Sequence, residues 1–240
     1  ELAVLEMGMS TKGEIAKLAS ITEPTEGLVT NVNPVHMEFF ESLDGIAREK
    51  AQLLEGLVGT RRAYLNYSDR RVRSMARKFD GEIVTFGIRS AAAFRVTCIE
   101  SLGLHGVGFT LRHGRRNINF ILPLMGDHNV LNATAAISVA VTHGLSWEQI
   151  RSALEGMAPS RMRGEIIHFR EGITVIDDSY NSNPKALIEM IRLLGKTKGF
   201  SRKILVAGEM RELGKKSATL HAACGREAVK SGIDLMIGVS

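Results

Sequence analysis

Glu6 ends the apolar run LAVLE, and His36 stands a few residues beyond the run LVTNV. If those runs are neighbouring parallel strands, both side chains reach the same sheet edge, where a carboxylate and an imidazole could hold Mg²⁺ directly or through water. Plainer roles fit the same residues, Glu6 as a helix cap and His36 as a polar loop side chain. Lys50 is more unusual. Leu43, Ile46, Ala47, Leu53, Leu54 and Leu57 keep the spacing of one helical face, and Lys50 falls in the middle of that stripe. An ammonium in such a place must snorkel outward, pair with an acid or lose its proton. Desolvation lowers a lysine's pKa. The neutral amine can then add carbon dioxide and release a proton, giving a carbamate able to ligate a metal ion. The residues alone leave these outcomes open.

A second group lies further along. Asp177 and Asp178 close the strand-like run GITVI ahead of SYNSNP. Consecutive acids ending an apolar strand need a ligand, a water or a helix to cap. Asn183 is the better cap, because it stands just before Pro184 at a predicted helix start. The aspartates are therefore free for a sugar hydroxyl, water or metal, and Glu209, after ILVAG, holds the corresponding place one strand later. The GKT at Gly195–Thr197 is not a phosphate loop. Such a loop needs another glycine five residues earlier, where this chain has Met190 inside a helical pattern. Gly195 reads instead as a helix C-cap.

The elements that must carry these residues alternate between strand and helix. Leu2–Glu6 and Leu28–Val32 are predicted strands, Gly13–Ser20 and Leu43–Leu57 helices. This rhythm predicts an α/β fold with a parallel sheet covered by helices. Ile83–Phe86, Phe94–Ile99, Gly106–Leu111 and Asn117–Leu122 are closely spaced with glycine-containing turns, as in a small antiparallel meander. Helices at Asn129–His143 and Trp147–Gly156 follow. After Ala158-Pro159-Ser160 the rhythm restarts: strands at Ile166–Phe169, Ile173–Ile176, Lys203–Ala207 and Leu235–Val239, with helices at Pro184–Leu194 and Ala218–Ser231. Two α/β domains are expected, 1–162 and 163–240. Both ends fall in predicted strands, so the chain reads as a piece of something longer.

Composition narrows the partners. Of 240 residues, 44% are hydrophobic and 24% charged, as in ordinary globular proteins, and no apolar run approaches the length of a membrane-spanning helix. Two distant cysteines, Cys98 and Cys224, make no disulfide framework, and a reducing cytoplasm is the expected setting. The net charge is +5. Its basic clusters, Arg70–Lys78 and Arg112–Arg116, lack interleaved aromatics and any nucleic-acid-reading motif. The first reads as a solvated helix face, the second as a strand-to-strand turn. No nucleic-acid partner is expected; a field that attracts small phosphorylated molecules fits the same charge.

Several strings, taken in order, resemble the Mur amide ligases. LEMGMS, NVNPVHMEFF and GIAREKAQLL are similar to successive motifs of their central domain, and GDHNVLNATAA to their adenine-side motif. IDDSYNSNP and GEMRELGKKSATLHAACG resemble the branch that adds D-alanyl-D-alanine to UDP-N-acetylmuramoyl-tripeptide. LNYSDRR stands where the family carries an LNADD-like string. The resemblance implies a central P-loop-type ATPase domain followed by a Rossmann-like C-terminal domain, both incomplete here. It also implies ATP and Mg²⁺ as cofactors, and a monomeric parent protein.

Roles follow at matching positions. Glu6, His36 and Lys50, the last as a carbamate, would be the metal-binding and catalytic set. Asn129 and Asn132 would contact adenine or ribose, Arg163 or its neighbour Arg161 the phosphates, and Asp178 the ribose. Tyr180, Asn181 and Asn183 would lie near the incoming dipeptide. Without a phosphate loop in these 240 residues, the isolated chain is expected to be inactive. Two other readings compete: a folylpolyglutamate- or cyanophycin-synthetase-type ligase, and a non-catalytic nucleotide-binding module.

Overall fold

The computed structural model describes residues 2–34, 39–40, 42–211 and 213–239. They form two compact units, one of residues 1–98, 110–118 and 131–147, the other of 99–109, 119–130 and 148–240.

In the first unit, helix α1 (Glu14–Thr22) leads to strand β1 (Glu26–Val29), helix α2 (Leu43–Glu55), strand β2 (Arg62–Asn66) and helix α3 (Arg70–Met75). Strand β3 (Glu82–Ile88) pairs parallel with β2, which pairs parallel with β1. Ser42 caps α2 by accepting from the Gly45 N–H, and Asp69 caps α3 by accepting from Arg71 and Val72. The apolar stripe of α2 is used as its spacing predicts: Ile46 and Leu54 are buried with Ile15 of α1, Val29 of β1, Leu65 of β2 and Val72 of α3. The parallel strands bring their carboxyl ends, and the loops after them, to one edge.

Strands β4 (Phe94–Ser101), β5 (Val107–His113) and β6 (Arg116–Leu122) complete a six-stranded sheet in the order β1 to β6. Here the expected meander needs correction. β3 and β4 are parallel, with Phe86 opposite Phe94 and Ile88 opposite Val96. Five residues suffice for the return because Arg89 takes a left-handed conformation (φ 48°) and its N–H bonds the Val96 carbonyl. β5 and β6 do form the expected tight hairpin, turning through Gly114 and Arg115.

Helices α4 (Asp127–Thr142) and α5 (Trp147–Glu155) follow. In the second unit β7 (Glu165–His168) and β8 (Thr174–Asp177) make a small antiparallel ladder. Helix α6 (Pro184–Lys196), strand β9 (Ile204–Gly208), helix α7 (Ser217–Lys230) and strand β10 (Leu235–Val239) complete the chain, β9 and β10 pairing parallel. Ile191, Leu205, Met210, Cys224 and Ala228 form the core between them.

Two further expectations are revised and one strand is added. Leu2–Glu6 is not a strand, and Leu2, Val4 and Leu5 are exposed. An apolar run becomes a strand only through a ladder, and no described residue pairs with it. Strand β2 was not anticipated, because its run is short and set between basic residues. Gly195 is not the cap of α6, whose C-cap is Thr197. The backbone of Ser231 comes so close that a Cβ on Gly195 would lie 2.5 Å from the Ser231 carbonyl oxygen.

Candidate functional site

Around Lys50 the first unit builds a polar clamp. β1 exits through Thr30, Asn31 and Val32, and each is held by a different side chain. Asn66, buried at the end of β2, donates from Nδ2 to the Thr30 carbonyl at 2.6 Å. Lys50 donates from Nζ to the Asn31 carbonyl at 3.0 Å. Asp69 Oδ2 accepts from the Val32 N–H at 2.8 Å. The two residues from β2 and its exit are themselves fixed, since Asn66 Oδ1 accepts from Ser68 N and Asp69 Oδ1 from Arg71 N.

Lys50 is therefore neither snorkelled nor free. Burial pushes its pKa down, and the nearby Asp69 carboxylate opposes that without cancelling it. Its neighbour Glu49 is 3% exposed and reaches the other way. Glu49 Oε1 accepts from Gly13 N at 2.8 Å and Ile15 N at 3.3 Å. Gly13 starts α1 at φ 86° and has no side chain to cap with, so Glu49 supplies the oxygen that the helix end lacks. One turn of α2 thus fixes both the start of α1 and the exit of β1.

Of the other residues predicted for metal, Glu6 is exposed, and His36 lies outside the described residues. No group of three or more His, Cys, Asp or Glu able to hold a metal is found among the described residues. The chemistry of the donors still fits: Glu6 offers a hard oxygen, and the lowered pKa of Lys50 favours the neutral amine that carbamate formation needs.

A second cluster lies in the second unit. Asn129, His128, Arg163 and Asp178 line one small cavity with Met125, Gly164 and Met190. At about 20 Å³ it has room for roughly one water molecule. Asn129 donates from Nδ2 to the Met125 carbonyl at 2.8 Å. Gly126 at φ 90° makes the bend before α4, and a Cβ there would lie 2.8 Å from the His128 ring. His128 meets Glu189 of α6 at 3.5 Å. A hydrogen bond to His128 holds the Glu189 carboxyl below its ordinary value. Burial pushes the Asp178 carboxyl up, opposed by His128, the Gly164 N–H and Arg163.

Arg163 lays its guanidinium 4.1 Å from the Tyr180 ring centre. Arg161, the alternative in register, is exposed and lines no part of the cavity. Asn181 and Asn132 are exposed. Asn183 Oδ1 caps α6 through the Ala186 N–H.

Sequence reasoning singled out Lys50, Asn129, Arg163 and Asp178. It did not find Asn31, Glu49, Asn66, Asp69, His128 or Glu189 as their partners. Glu49 left a signal, an acid directly beside the anomalous lysine, but its partner is 36 residues away.

Residues 1–140 match the Mur ligase middle domain, and residues 162–240 match the Mur ligase glutamate ligase domain. The chain belongs to the Mur ligase family. This Mur ligase chain is 34% identical over 234 residues to UDP-N-acetylmuramoyl-tripeptide–D-alanyl-D-alanine ligase of Bacillus subtilis, covering 98% of itself and 50% of that relative. Against the ligase of the same name from Escherichia coli it is 32% identical over 241 residues, covering 53% of it. In fold it is similar to the crystal structure of MurF from Acinetobacter baumannii, with TM-score 0.86 and 28% identity, covering 97% of this chain and 50% of that one. The Mur ligase chain spans about half the length of the curated relatives it matches.

Proposed function

We propose that this chain is part of an ATP-dependent ligase that joins D-alanyl-D-alanine to UDP-N-acetylmuramoyl-tripeptide, making a peptidoglycan precursor in the cytoplasm. The observation that carries this reading is the identity with ligases of that name, which runs through 98% of the chain and both matched domains. The start of the second match at residue 162 supports a domain boundary near there.

The reaction requires two displacements. An oxygen of the tripeptide's terminal carboxylate bonds to the γ-phosphorus of ATP, and ADP leaves. The dipeptide's amine nitrogen then bonds to the carbonyl carbon of the acyl phosphate; phosphate leaves and the nitrogen gives up a proton. Both steps crowd anionic oxygens and gain from fixed positive charge and held orientation. Glu6, His36 and a carbamate on Lys50 would hold Mg²⁺, which supplies neutralisation of those oxygens.

The chain's own residues prepare these places. Burial makes the Lys50 amine easier to deprotonate, while Asn66 and Asp69 fix the backbone that Lys50 touches. Asn129, Arg163 and Asp178 share one cavity wall and suit a base or ribose and phosphates, with Asn132 nearby in sequence. That cavity has to widen before a nucleotide enters. Tyr180, Asn181 and Asn183 would face the dipeptide, Asn183 through groups its cap leaves free.

The test uses the full-length gene product with ATP, Mg²⁺, UDP-N-acetylmuramoyl-tripeptide and D-alanyl-D-alanine. Amide product and phosphate are expected in equal amounts by mass spectrometry and phosphate assay. Lys50→Ala should lose at least about a hundredfold in rate, with partial rescue by added short-chain carboxylic acids. Absence of amide with active controls overturns the ligase reading. An unimpaired Lys50→Ala overturns the carbamate alone.

A further inference from the structure

On the exposed face of the sheet, two arginines stand directly opposite each other. Their register follows from two contacts between β4 and β5. The rings of Phe94 and His113 stack at 4.1 Å, and Thr97 Oγ1 donates to the Thr110 carbonyl at 3.3 Å. Moving three residues forward along β4 moves three back along β5, so the strands are antiparallel and Arg95 faces Arg112. Cβ atoms of such a pair are about 5 Å apart, and like charges so placed destabilise a sheet. Neither guanidinium has a hydrogen-bond or ion-pair partner among the described residues.

The two arginines share the wall of a depression of about 320 Å³ with Ala91, Ala92, Ala93 and Gly114. No carboxylate lines it. Its rim is fixed rather than loose. The return from β3 to β4 is pinned at one end by the Arg89 N–H on the Val96 carbonyl. At the other end the Ala93 N–H bonds Thr85 Oγ1 at 2.8 Å. The alanines and the glycine leave the space between this return and the β5–β6 turn unfilled by side chains.

We propose that this depression is a binding site for a phosphate-type dianion, a phosphate monoester or diphosphate group, held between Arg95 and Arg112. The charge selects the class. A carboxylate is satisfied by one arginine in a two-bond fork, whereas a tetrahedral dianion presents enough oxygens and charge for two guanidiniums at once. Bound there, it turns the repulsion between the arginines into a pair of charge-assisted contacts. The site is separate from the Lys50 clamp and from the Asn129 cavity, with which it shares no residue, and it stands whether or not the ligase reading holds.

The probe is inorganic pyrophosphate, added to the full-length protein at constant ionic strength. The readout is the Nε–H resonances of Arg95 and Arg112, assigned by single Arg→Lys substitutions. Saturable movement of both is expected at millimolar pyrophosphate, with affinity falling about tenfold in Arg95→Gln and in Arg112→Gln. Arg112→Glu replaces repulsion with a cross-strand ion pair. It is expected to raise the melting temperature of the free protein and abolish the response, which also shows that lost binding is not lost folding. No movement, or equal movement with chloride, overturns the site. Tighter binding of a DNA duplex through the same two arginines would make the face a polyanion surface and overturn it too.

Discussion

The carboxylate of Glu49 and the backbone N–H of Gly13 meet at 2.8 Å in the first unit, joining the middle of α2 to the beginning of α1. A left-handed glycine opens a helix but cannot cap it, and the missing acceptor arrives from 36 residues away. Glu49→Ala leaves the N–H groups of Gly13 and Ile15 without an acceptor and is expected to cost about 1–3 kcal/mol. Glu49→Gln keeps an oxygen in place and should cost less. Urea unfolding of the two variants measures this; equal, negligible losses would show that the contact contributes nothing.

Asp69 serves two ends with one carboxylate, capping α3 through Oδ1 and holding Val32 through Oδ2. Asp69→Ser retains a good cap but is too short to reach Val32 as well. Asp69→Asn removes the charge and can keep only one of the two contacts, because its Nδ2 donates and cannot accept from an N–H. Asn66→Ala frees the Thr30 carbonyl with no change of charge. If the clamp positions Lys50, acylation of Lys50 by an amine reagent should quicken several-fold in Asp69→Ser and also in Asn66→Ala. The exposed Lys17 serves as reference in the same sample, read by peptide mass spectrometry. A faster rate in Asp69→Ser with an unchanged one in Asn66→Ala would leave only charge, and no positioning.

Glu26 gathers a third network at the opposite ends of the strands. Its carboxylate accepts from Arg62 at 2.6 Å, Tyr64 at 2.8 Å and His143 at 3.0 Å. Burial alone pushes the Glu26 carboxyl up, but His143, Tyr64 and Arg62 together bring it below its ordinary value. A carboxyl that is more acidic folded than unfolded stabilises fully above its unfolded pKa, and that stabilisation is lost as pH falls through the folded value. Wild-type stability should therefore drop on acidification from about pH 5 downward. Glu26→Gln should be less stable at neutral pH and show a shallower acid limb in denaturant titrations. Parallel curves for the two proteins would refute the assignment.

What the sequence made legible depended on local pattern. Lys50 stood out because six apolar residues defined a face and the lysine fell on it. Asn183 could be read as a cap because Pro184 followed it. The clamp could not be read, because Asn66 and Asp69 meet Thr30 and Val32 only after two parallel strands have aligned. The same limit applies to Glu49. Residues 2–6 form no strand for a related reason, since apolar composition sets burial potential but a ladder needs a partner. The short segment after Ile88 predicts a reversal because five residues are normally too few for anything else. The left-handed Arg89 is what lets the chain start again in the same direction.

That short return also bears on how the sheet assembles. Parallel pairing usually waits for a helix to cross and bring distant segments together, which makes such sheets slow to form. Here Phe86 and Phe94 are partners only eight positions apart, so their pairing closes a very small loop. This central pair of the sheet can zip early, before any helix has docked, and offer β2 a ready template for its own alignment.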